Sequence, residues 1–302
     1  MRKLLASLGL VVFVLSACAT SPPEKASTPG DSLQVLLDAM QKTNDAGSAR
    51  MAIDVTFTSP EQTVHVTGDV EYVMDPADPT SLRERIVLDI PSLGMLPGGK
   101  VEMIVGKGSV IYVQAPMLAS MIPASTPWIK LDPSELPEYD DALAEAAAAG
   151  NPAVILDAIK DALTVEEIGA DTVDGAGVTH YRATVDIVKL LPLLAELTNE
   201  GPTAAEMQEA KDQLRKVGLE HFPVELWVDE EGFLKQARVA LDLSSVDPEL
   251  AGTSFSLTFT FSDVGEPISI DVPPASQVTD ITELLRGAFP DGTFPTTSTS
   301  AA

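Results

Sequence analysis

Strict alternation of apolar and polar residues is the feature that most constrains the fold of this chain. From Phe255 to Ser262 every second residue is Phe or Leu, and the residues between them are Ser or Thr. Successive side chains of a β-strand point to opposite faces, so this pattern predicts a strand with one buried and one solvated face. Similar runs extend from Met51 to Phe57, from Val64 to Met74 and from Val224 to Val228. We therefore expect antiparallel strands that share one apolar face.

Shorter patterns predict the remaining strands and the turns between them. Further strands are expected at Leu82 to Ile90, Val101 to Val105, Val110 to Val113, Trp128 to Leu131, Val165 to Thr172, Val178 to Val185 and Ala237 to Leu243. Asp174-Gly175 and Glu231-Gly232 are typical of hairpin turns. The glycine-rich "GKGS" at 106–109 lies between two strand patterns and opens no helix, so it also predicts a turn.

Five segments carry helical signals. Asp31 offers an N-cap, and Leu33, Leu36, Leu37 and Met40 then fall on one helix face. The Ala- and Glu-rich residues 134–149 predict a second helix, and Asn151-Pro152 predicts the start of a third. Residues 186–197 are a helix or a loop broken by Pro192, and Thr203 opens a capping box. Strands, then helices, then strands predict an α+β domain with one broad antiparallel sheet covered on one face.

The first eighteen residues predict export and lipid attachment. A positively charged start and an apolar run to Leu15 precede Cys18, the only cysteine of the chain. This arrangement is typical of a secretory signal, and the run is shorter than the roughly 20 residues that span a bilayer. "LSAC" at 15–18 also resembles the bacterial lipobox, whose cysteine receives a diacylglycerol group. The alternative is a plain secretory signal with an incidental cysteine.

Composition sets the boundaries of the folded part and limits its partners. We expect a lipoprotein signal peptide at 1–17, the lipidated Cys18 and a disordered Pro-, Ser- and Thr-rich tether at 18–31, one folded domain at 32–288 and a disordered tail at 289–302. The formal charge of the full chain is −26, and loss of Arg2 and Lys3 with the signal makes it more negative. Such a body would be repelled by nucleic acid and by anionic lipid headgroups.

The inventory of reactive side chains argues against an enzyme. The three histidines, His65, His180 and His221, show no metal-ligand spacing, and His65 and His180 fall in the polar register of their strands. No nucleophile elbow, phosphate-binding loop or dinucleotide fingerprint is present. Acidic clusters around Asp75 and Asp140 could bind calcium but lack the ladder spacing of an EF-hand loop, so solvated loops are the simpler interpretation. We expect no cofactor and no metal.

Two Met-, Leu- and Pro-rich stretches at 90–99 and 115–125 have neither helical nor strand period. Met117 lies in the second of them. These stretches are either ordinary core packing under a loop or the adaptable rim of a pocket for an apolar ligand, because unbranched Met fits irregular shapes.

Several of these features together resemble one family. The lipobox, the tether, "WIKLDPSEL" (128–136), "VDGAGVTHYRATVDI" (173–187) and the closing "FPVELWVDEEGFLKQARVALDL" (222–243) with "SFSLTFTFSDVGEPISIDVPP" (254–274) look like actinobacterial lipoproteins of the LppX/LprG type. The resemblance covers roughly residues 32–285. It implies a fold like that of the lipoprotein carrier LolA: a single strongly curved antiparallel sheet, or half-barrel, with helices packed on its concave face.

The resemblance also implies a hydrophobic cavity that holds acyl chains of an envelope lipid or lipoglycan. We expect a non-enzymatic, membrane-anchored lipoprotein on the outer face of the cell membrane that carries or presents such a lipid, with a membrane transporter as a possible partner. The candidate cavity residues are apolar and lie on the predicted helices, strands and Met-rich stretch: Leu36, Leu37, Met40, Phe57, Val66, Val70, Met103, Met117, Ile155, Ile159, Leu257 and Phe259.

Two other functions remain open at the level of the sequence. The same scaffold with a filled core could serve as a regulatory, sensor or interaction lipoprotein, because filled and hollow interiors present the same inward pattern. A hydrolase acting on the cell wall ranks last, for want of a nucleophile or metal motif.

Overall fold

The fold is one large sheet with a few helices. The computed structural model describes residues 29–75, 78–91, 98–115, 126–135, 162–196, 203–216, 218–245 and 250–288. Within these ranges the chain forms a single open, curved sheet of twelve strands, accompanied by four α-helices and short 3-10 turns. No helix in these ranges is long and apolar enough to cross a membrane.

The elements follow the chain in this order. The strands are β1 (Ser48–Thr58), β2 (Thr63–Asp75), β3 (Asp78–Ile90), β4 (Gly99–Val105), β5 (Ile111–Gln114), β6 (Trp128–Leu131), β7 (Leu163–Val173), β8 (Ala176–Asp186), β9 (His221–Asp229), β10 (Leu234–Asp242), β11 (Ser254–Ser262) and β12 (Val278–Asp280). The helices are α1 (Pro29–Asp45), α2 (Ile187–Glu196), α3 (Ala204–Lys216) and α4 (Thr282–Ala288).

Two antiparallel meanders make up most of the sheet. The spatial order is β12-β6-β5-β4-β3-β2-β1-β11-β10-β9-β8-β7, so β1 to β6 extend to one side and β11 to β7 to the other. The meanders meet where β1 pairs with β11, with Ile53 opposite Phe259. The alternating run from Phe255 to Phe261, the clearest strand pattern of the sequence, therefore lies near the centre of the sheet.

One edge of the sheet departs from the predicted all-antiparallel arrangement. Strand β12 runs parallel to β6, and Val278 to Asp280 pair with Trp128 to Lys130. A parallel pair needs a long crossover connection, and here the partner strands are about 150 residues apart in the sequence. Thr282 Oγ1 accepts a hydrogen bond from the Asp132 backbone N–H at 3.0 Å and helps to fix this edge.

Local turn and cap chemistry matches the predictions at several points. Asp174 and Gly175 both have positive φ, as a two-residue type I′ hairpin requires, and they join β7 to β8. Helix α3 has the predicted capping box: Thr203 Oγ1 accepts from the Glu206 N–H at 3.3 Å, and Glu206 accepts from the Thr203 N–H at 2.8 Å.

Two helix predictions need correction. Helix α1 begins at Pro29, so Asp31 lies in its first turn, where a carboxylate favours the helix dipole, and is not the cap. Residues 187–196 form a helix that runs through Pro192 without the predicted break. The helices predicted at 134–149 and from Asn151 lie outside the described residues.

The main core lies on one side of β7 to β10. Leu36, Ala39 and Met40 of α1 pack against this side, which we call the inner face of the sheet. Ile187 and Leu190 of α2 and Leu214 of α3 belong to the same core. The strand residues of this core are buried: Val165, Tyr181, Ala183, Val185, Phe222, Val224, Leu226, Val228, Leu234, Ala237 and Leu241.

The opposite, outer face carries a second, smaller core and an ion-pair ladder. After β11 the chain crosses the outer face, where Ile268 and Ile270 pack with Ile104 and Trp128. Beside this cluster, Arg85 bridges Glu71 and Glu102, with Nε of Arg85 2.7 Å from Oε1 of Glu102. The outer face of β2 to β6 thus has its own apolar cover, while its half-buried carboxylates Glu71 and Glu102 are paired with Arg85.

Candidate functional site

An uninterrupted apolar row crosses seven strands on the inner face. Its members are paired in register from β11 to β6: Phe261, Met51, Val70, Ile86, Met103, Val113 and Ile129. A neighbouring row contains Phe259, Ile53, Gly68, Leu88 and Val101. Period-two patterning places all of these side chains on one face, so β1 to β5 present a continuous hydrocarbon surface.

At Gly68 the neighbouring strand β3 leaves no room for a side chain. A Cβ atom at Gly68 would lie 2.5 Å from Cδ2 of Leu88 and 2.9 Å from the carbonyl oxygen of Val87. The Leu88 side chain therefore occupies the space that a residue larger than glycine would need at position 68.

The inner face of β1 to β4 is less buried than the core on β7 to β10. Met51, Ile53, Leu88 and Met103 are only half-buried, although their register is that of the buried residues on the other meander. Ala49, Gly68 and Val70 are the buried exceptions, and Val70 is 3% exposed. Within the described residues, the contacts of α1 concentrate on β7 and β10. Among the described residues, the inner face of β1 to β4 is thus apolar but less fully buried than the β7–β10 core.

A cavity of about 230 Å³ lies where α1 meets this surface. It is partly open to solvent and its wall is mostly apolar. The lining comes from the end of α1 and from β1, β2, β3, β10 and β11: Met40, Thr43, Asn44, Met51, Val70, Tyr72, Met74, Leu82, Glu84, Leu234, Ala237, Phe259 and Phe261. Its volume lies just below the range of about 300–1,000 Å³ for small-molecule sites, so it fits one segment of an apolar ligand.

The helix side of the cavity is held by a hydrogen-bonded threonine. Thr43 Oγ1 donates to the Ala39 carbonyl at 2.8 Å and accepts from the Leu234 N–H at 2.9 Å. Lys42, one residue earlier, lies over the ring of Phe233 at 4.3 Å and donates to the Glu231 carbonyl. These contacts fix the C-terminal turn of α1 against β10.

The charged side chain in the cavity wall is Glu84. It lies directly across from Tyr72 on β2 and from Val105 on β4. Burial raises the pKa of the Glu84 carboxyl above its usual value, because the low-dielectric surroundings disfavour the charged form. Burial, and then the Glu84 charge, raise the pKa of the Tyr72 phenol.

Three of the sequence-predicted site residues line the cavity together: Met40, Val70 and Phe259. Leu36 and Leu37 are buried, and Leu36 belongs to the β7–β10 core. Phe57, Val66, Met103 and Leu257 lie half-buried on their strands outside the cavity lining. Their roles as ligand-binding residues stay predictions. Cys18, Met117, Ile155 and Ile159 lie outside the described residues.

Sequence reasoning missed the polar part of the wall. Glu84 occupies the apolar register of β3, between Leu82 and Ile86, and Tyr72 occupies that of β2. The sequence could have revealed Glu84, because a charged residue stands there among positions that are otherwise apolar. It could not have revealed Thr43, which fixes helix α1 at the cavity, because the long-range partner of Thr43 is a backbone amide.

The histidines lie away from the cavity. His65 pairs with Asp54 at 2.8 Å in an exposed position. His180 stacks on Trp227 with ring centroids 4.5 Å apart, and its Nε2 lies 2.5 Å from Glu225. In the described ranges, no group of three or more His, Cys, Asp or Glu side chains is placed to hold a metal ion.

Comparison with known proteins gives one sequence relative and several structures. No family model matches the chain. An uncharacterised 31.2 kDa protein of Streptomyces griseus, from the rplA–rplJ intergenic region, is 30% identical over 131 residues. This match covers 43% of the chain and 39% of the relative, so it spans about two fifths of each.

Two mycobacterial structures match most of the chain. LprF from Mycobacterium bovis has 16% identity and a TM-score of 0.42, and the match covers 83% of this chain and all of LprF. The lipoprotein LppX of Mycobacterium tuberculosis has 15% identity and a TM-score of 0.43, over 81% of this chain and all of LppX. The chain resembles these proteins in structure. LppX is one of the lipoproteins that the sequence resembles.

Proposed function

We propose that this protein is a membrane-anchored lipoprotein that binds acyl chains of an envelope lipid or lipoglycan and carries or presents that lipid. The observation that carries the proposal is the half-buried apolar inner face of β1 to β4 with the cavity of about 230 Å³ at its edge. Binding would remove apolar surface from water, which contributes about 25 cal/mol per Å². No covalent step is involved.

The arrangement of the outer face supports this assignment. A sheet normally buries one face against other elements. Here Ile268 and Ile270 pack on the outer face near Ile104, so β2 to β6 gain stabilising apolar contacts from that side. The inner face of the same strands can then remain available to a ligand. Helices on the concave side of a half-barrel, as the resemblance implies, would complete the enclosure of the acyl chains.

The cellular setting in this proposal rests on the N-terminal sequence. Lipid on Cys18 would anchor the exported protein at the outer face of the cell membrane, since more than one acyl chain makes anchoring stable. A membrane transporter is a partner of the right kind for loading or unloading a lipid. Metabolic labelling with an alkyne fatty acid should mark the wild type and not a Cys18→Ala variant.

Native mass spectrometry of the full-length protein, released from a mild detergent, tests lipid binding. We expect a bound lipid in the wild type. The variant Val70→Trp should lose it, because the indole would fill the cavity. The matched control is Thr67→Trp, an equally large change on the exposed outer face of the same strand; it should keep the lipid.

The alternative is a sensor or interaction lipoprotein with a filled interior. A wild-type protein that is folded and free of lipid from every preparation would contradict the proposal and favour this alternative. Thermal unfolding of both variants separates loss of lipid from loss of fold.

A further inference from the structure

One charged side chain, that of Glu84, stands in the described wall of the cavity, and it has no partner among the described residues. Glu84 has neither a hydrogen bond nor an ion pair with any described residue, whereas the carboxylates of the outer face, such as Glu71 and Glu102, are paired with arginines. A half-buried carboxylate without a partner is costly, and buried charges are ordinarily paired. An unpaired one in a ligand cavity indicates a functional role.

Tyr72 gives this spot a second polar atom. It is the cross-strand neighbour of Glu84 and lines the same cavity. No hydrogen bond joins the two side chains, and the phenol has no partner among the described residues. Neither residue has a side-chain oxygen that is both sealed from solvent and unpaired, and both residues line the cavity. On β2 and β3 the wall therefore presents one acceptor and one donor on neighbouring strands, among apolar side chains.

We infer that Glu84 and Tyr72 select a lipid whose hydroxyl-bearing head group enters the cavity, donating a hydrogen bond to Glu84 and accepting one from Tyr72. This inference rests on the proposed function. A hydroxyl serves both roles, because it is a donor and an acceptor at once. An ammonium group offers no acceptor to the phenol, an ester offers no donor to the carboxylate, and a carboxylate is repelled by Glu84.

The inference also explains the chemistry of the surrounding wall. The remaining lining side chains that approach Glu84 from β2 and β3 are apolar, including Val70, Met74 and Leu82. Hydrogen bonds to charged groups in such surroundings are stronger than hydrogen bonds between neutral groups. A few polar atoms in an apolar pocket are what fixes the orientation of a ligand.

Displacement of the neutral dye N-phenyl-1-naphthylamine from the full-length protein tests the inference. Three twelve-carbon competitors share a chain and differ in the head group: monododecanoylglycerol with free hydroxyls, methyl dodecanoate without a donor, and dodecanoate with a negative charge. For the wild type we expect monododecanoylglycerol to bind about 10-fold more tightly than either of the others.

Two variants and a control locate the effect. In Glu84→Leu the preference for monododecanoylglycerol should disappear, and dodecanoate should bind more tightly than it does to the wild type. Glu84→Gln keeps the size of the side chain and an acceptor oxygen, so it should weaken monododecanoylglycerol less than Glu84→Leu does. Asp69→Asn removes a carboxylate from the exposed outer face of β2 and should leave all three affinities unchanged.

The outcomes separate this inference from the proposed function. Equal affinities for the three competitors, unchanged in Glu84→Gln, would overturn the inference and leave lipid binding intact. No displacement by any competitor would overturn the proposed function as well. A preference for monododecanoylglycerol that persists in folded Glu84→Leu would assign head-group selection to other residues and so overturn the role of Glu84.

Discussion

Two regions of one sheet share a pattern and differ in what their inner face does. In the β7–β10 region the inward side chains are buried against α1, α2 and α3. In the β1–β4 region side chains of the same register, such as Met51 and Leu82, are half-buried and line a cavity. Alternation decides which face is apolar, and the packing of other elements decides whether that face becomes a core or a binding surface.

The largest expected effect comes from truncating a leucine in each region. Leu36→Ala removes a side chain that is 1% exposed in the β7–β10 core and should cost about 2–5 kcal/mol of the free energy of unfolding. Leu88→Ala, on the half-buried inner face of β3, should cost clearly less, because fewer contacts are lost. Urea unfolding of both variants measures the difference. Equal costs would mean that the two regions are equally well packed, and would break the comparison.

A glycine in each region gives the second contrast. Gly68→Ala should destabilise by about 1–3 kcal/mol, because its Cβ would lie 2.9 Å from the Val87 carbonyl oxygen, which cannot move easily. Gly177→Ala on β8 is the matched control, since its Cβ would meet only Glu230, at 3.6 Å. It should be neutral or slightly stabilising, as it restricts the unfolded chain. Thermal unfolding of the two variants checks this order, and a Gly68→Ala protein as stable as the wild type would contradict the close approach of β2 and β3.

The smallest expected effect is the pH dependence that Glu84 adds to the β1–β4 region. Its pKa is raised in the folded protein, so the folded state holds this proton to higher pH than the unfolded chain does. The contribution of Glu84 to the free energy of unfolding is fully present below its pKa in the unfolded chain, near 4.5. It is lost as the pH rises through the pKa of Glu84 in the folded protein. Glu84→Gln should therefore be more stable than the wild type at neutral pH, and the difference should shrink as the pH falls towards 4.5.

Urea titrations across this pH range measure the effect. A difference between Glu84→Gln and the wild type that does not change with pH would contradict the raised pKa and point to packing alone.

The sequence predicted the local structure of both regions better than their packing. The alternation at 51–57, 64–74 and 255–261 predicted strands that the structure contains, and the Thr203 capping box and the Asp174-Gly175 turn are present. These features depend on neighbours within a few residues, so a single sequence suffices to find them.

Features that depend on distant residues could not be predicted in this way. The parallel pairing of β12 with β6, the packing of Ile270 on the outer face and the burial of Leu36 join segments far apart in the chain. The cavity also depends on residues far apart in the chain. Met51 and Phe259 occupy the same inward positions of their strands whether the interior next to them is filled by other side chains or is empty. Glu84 is the instructive exception: a charge in the inward register of β3 was visible in the sequence.

Photocrosslinking tests most directly the claim that hydrocarbon binds on the inner face of the β1–β4 region. A monoacylglycerol with a diazirine near the end of its acyl chain is bound to the full-length protein, irradiated, and the labelled residues are identified by mass spectrometry of peptides. The account predicts labels on cavity residues such as Met51, Val70 and Phe259, and competition by unlabelled monododecanoylglycerol. Labels confined to the outer face, or labelling that monododecanoylglycerol does not compete away, would contradict it.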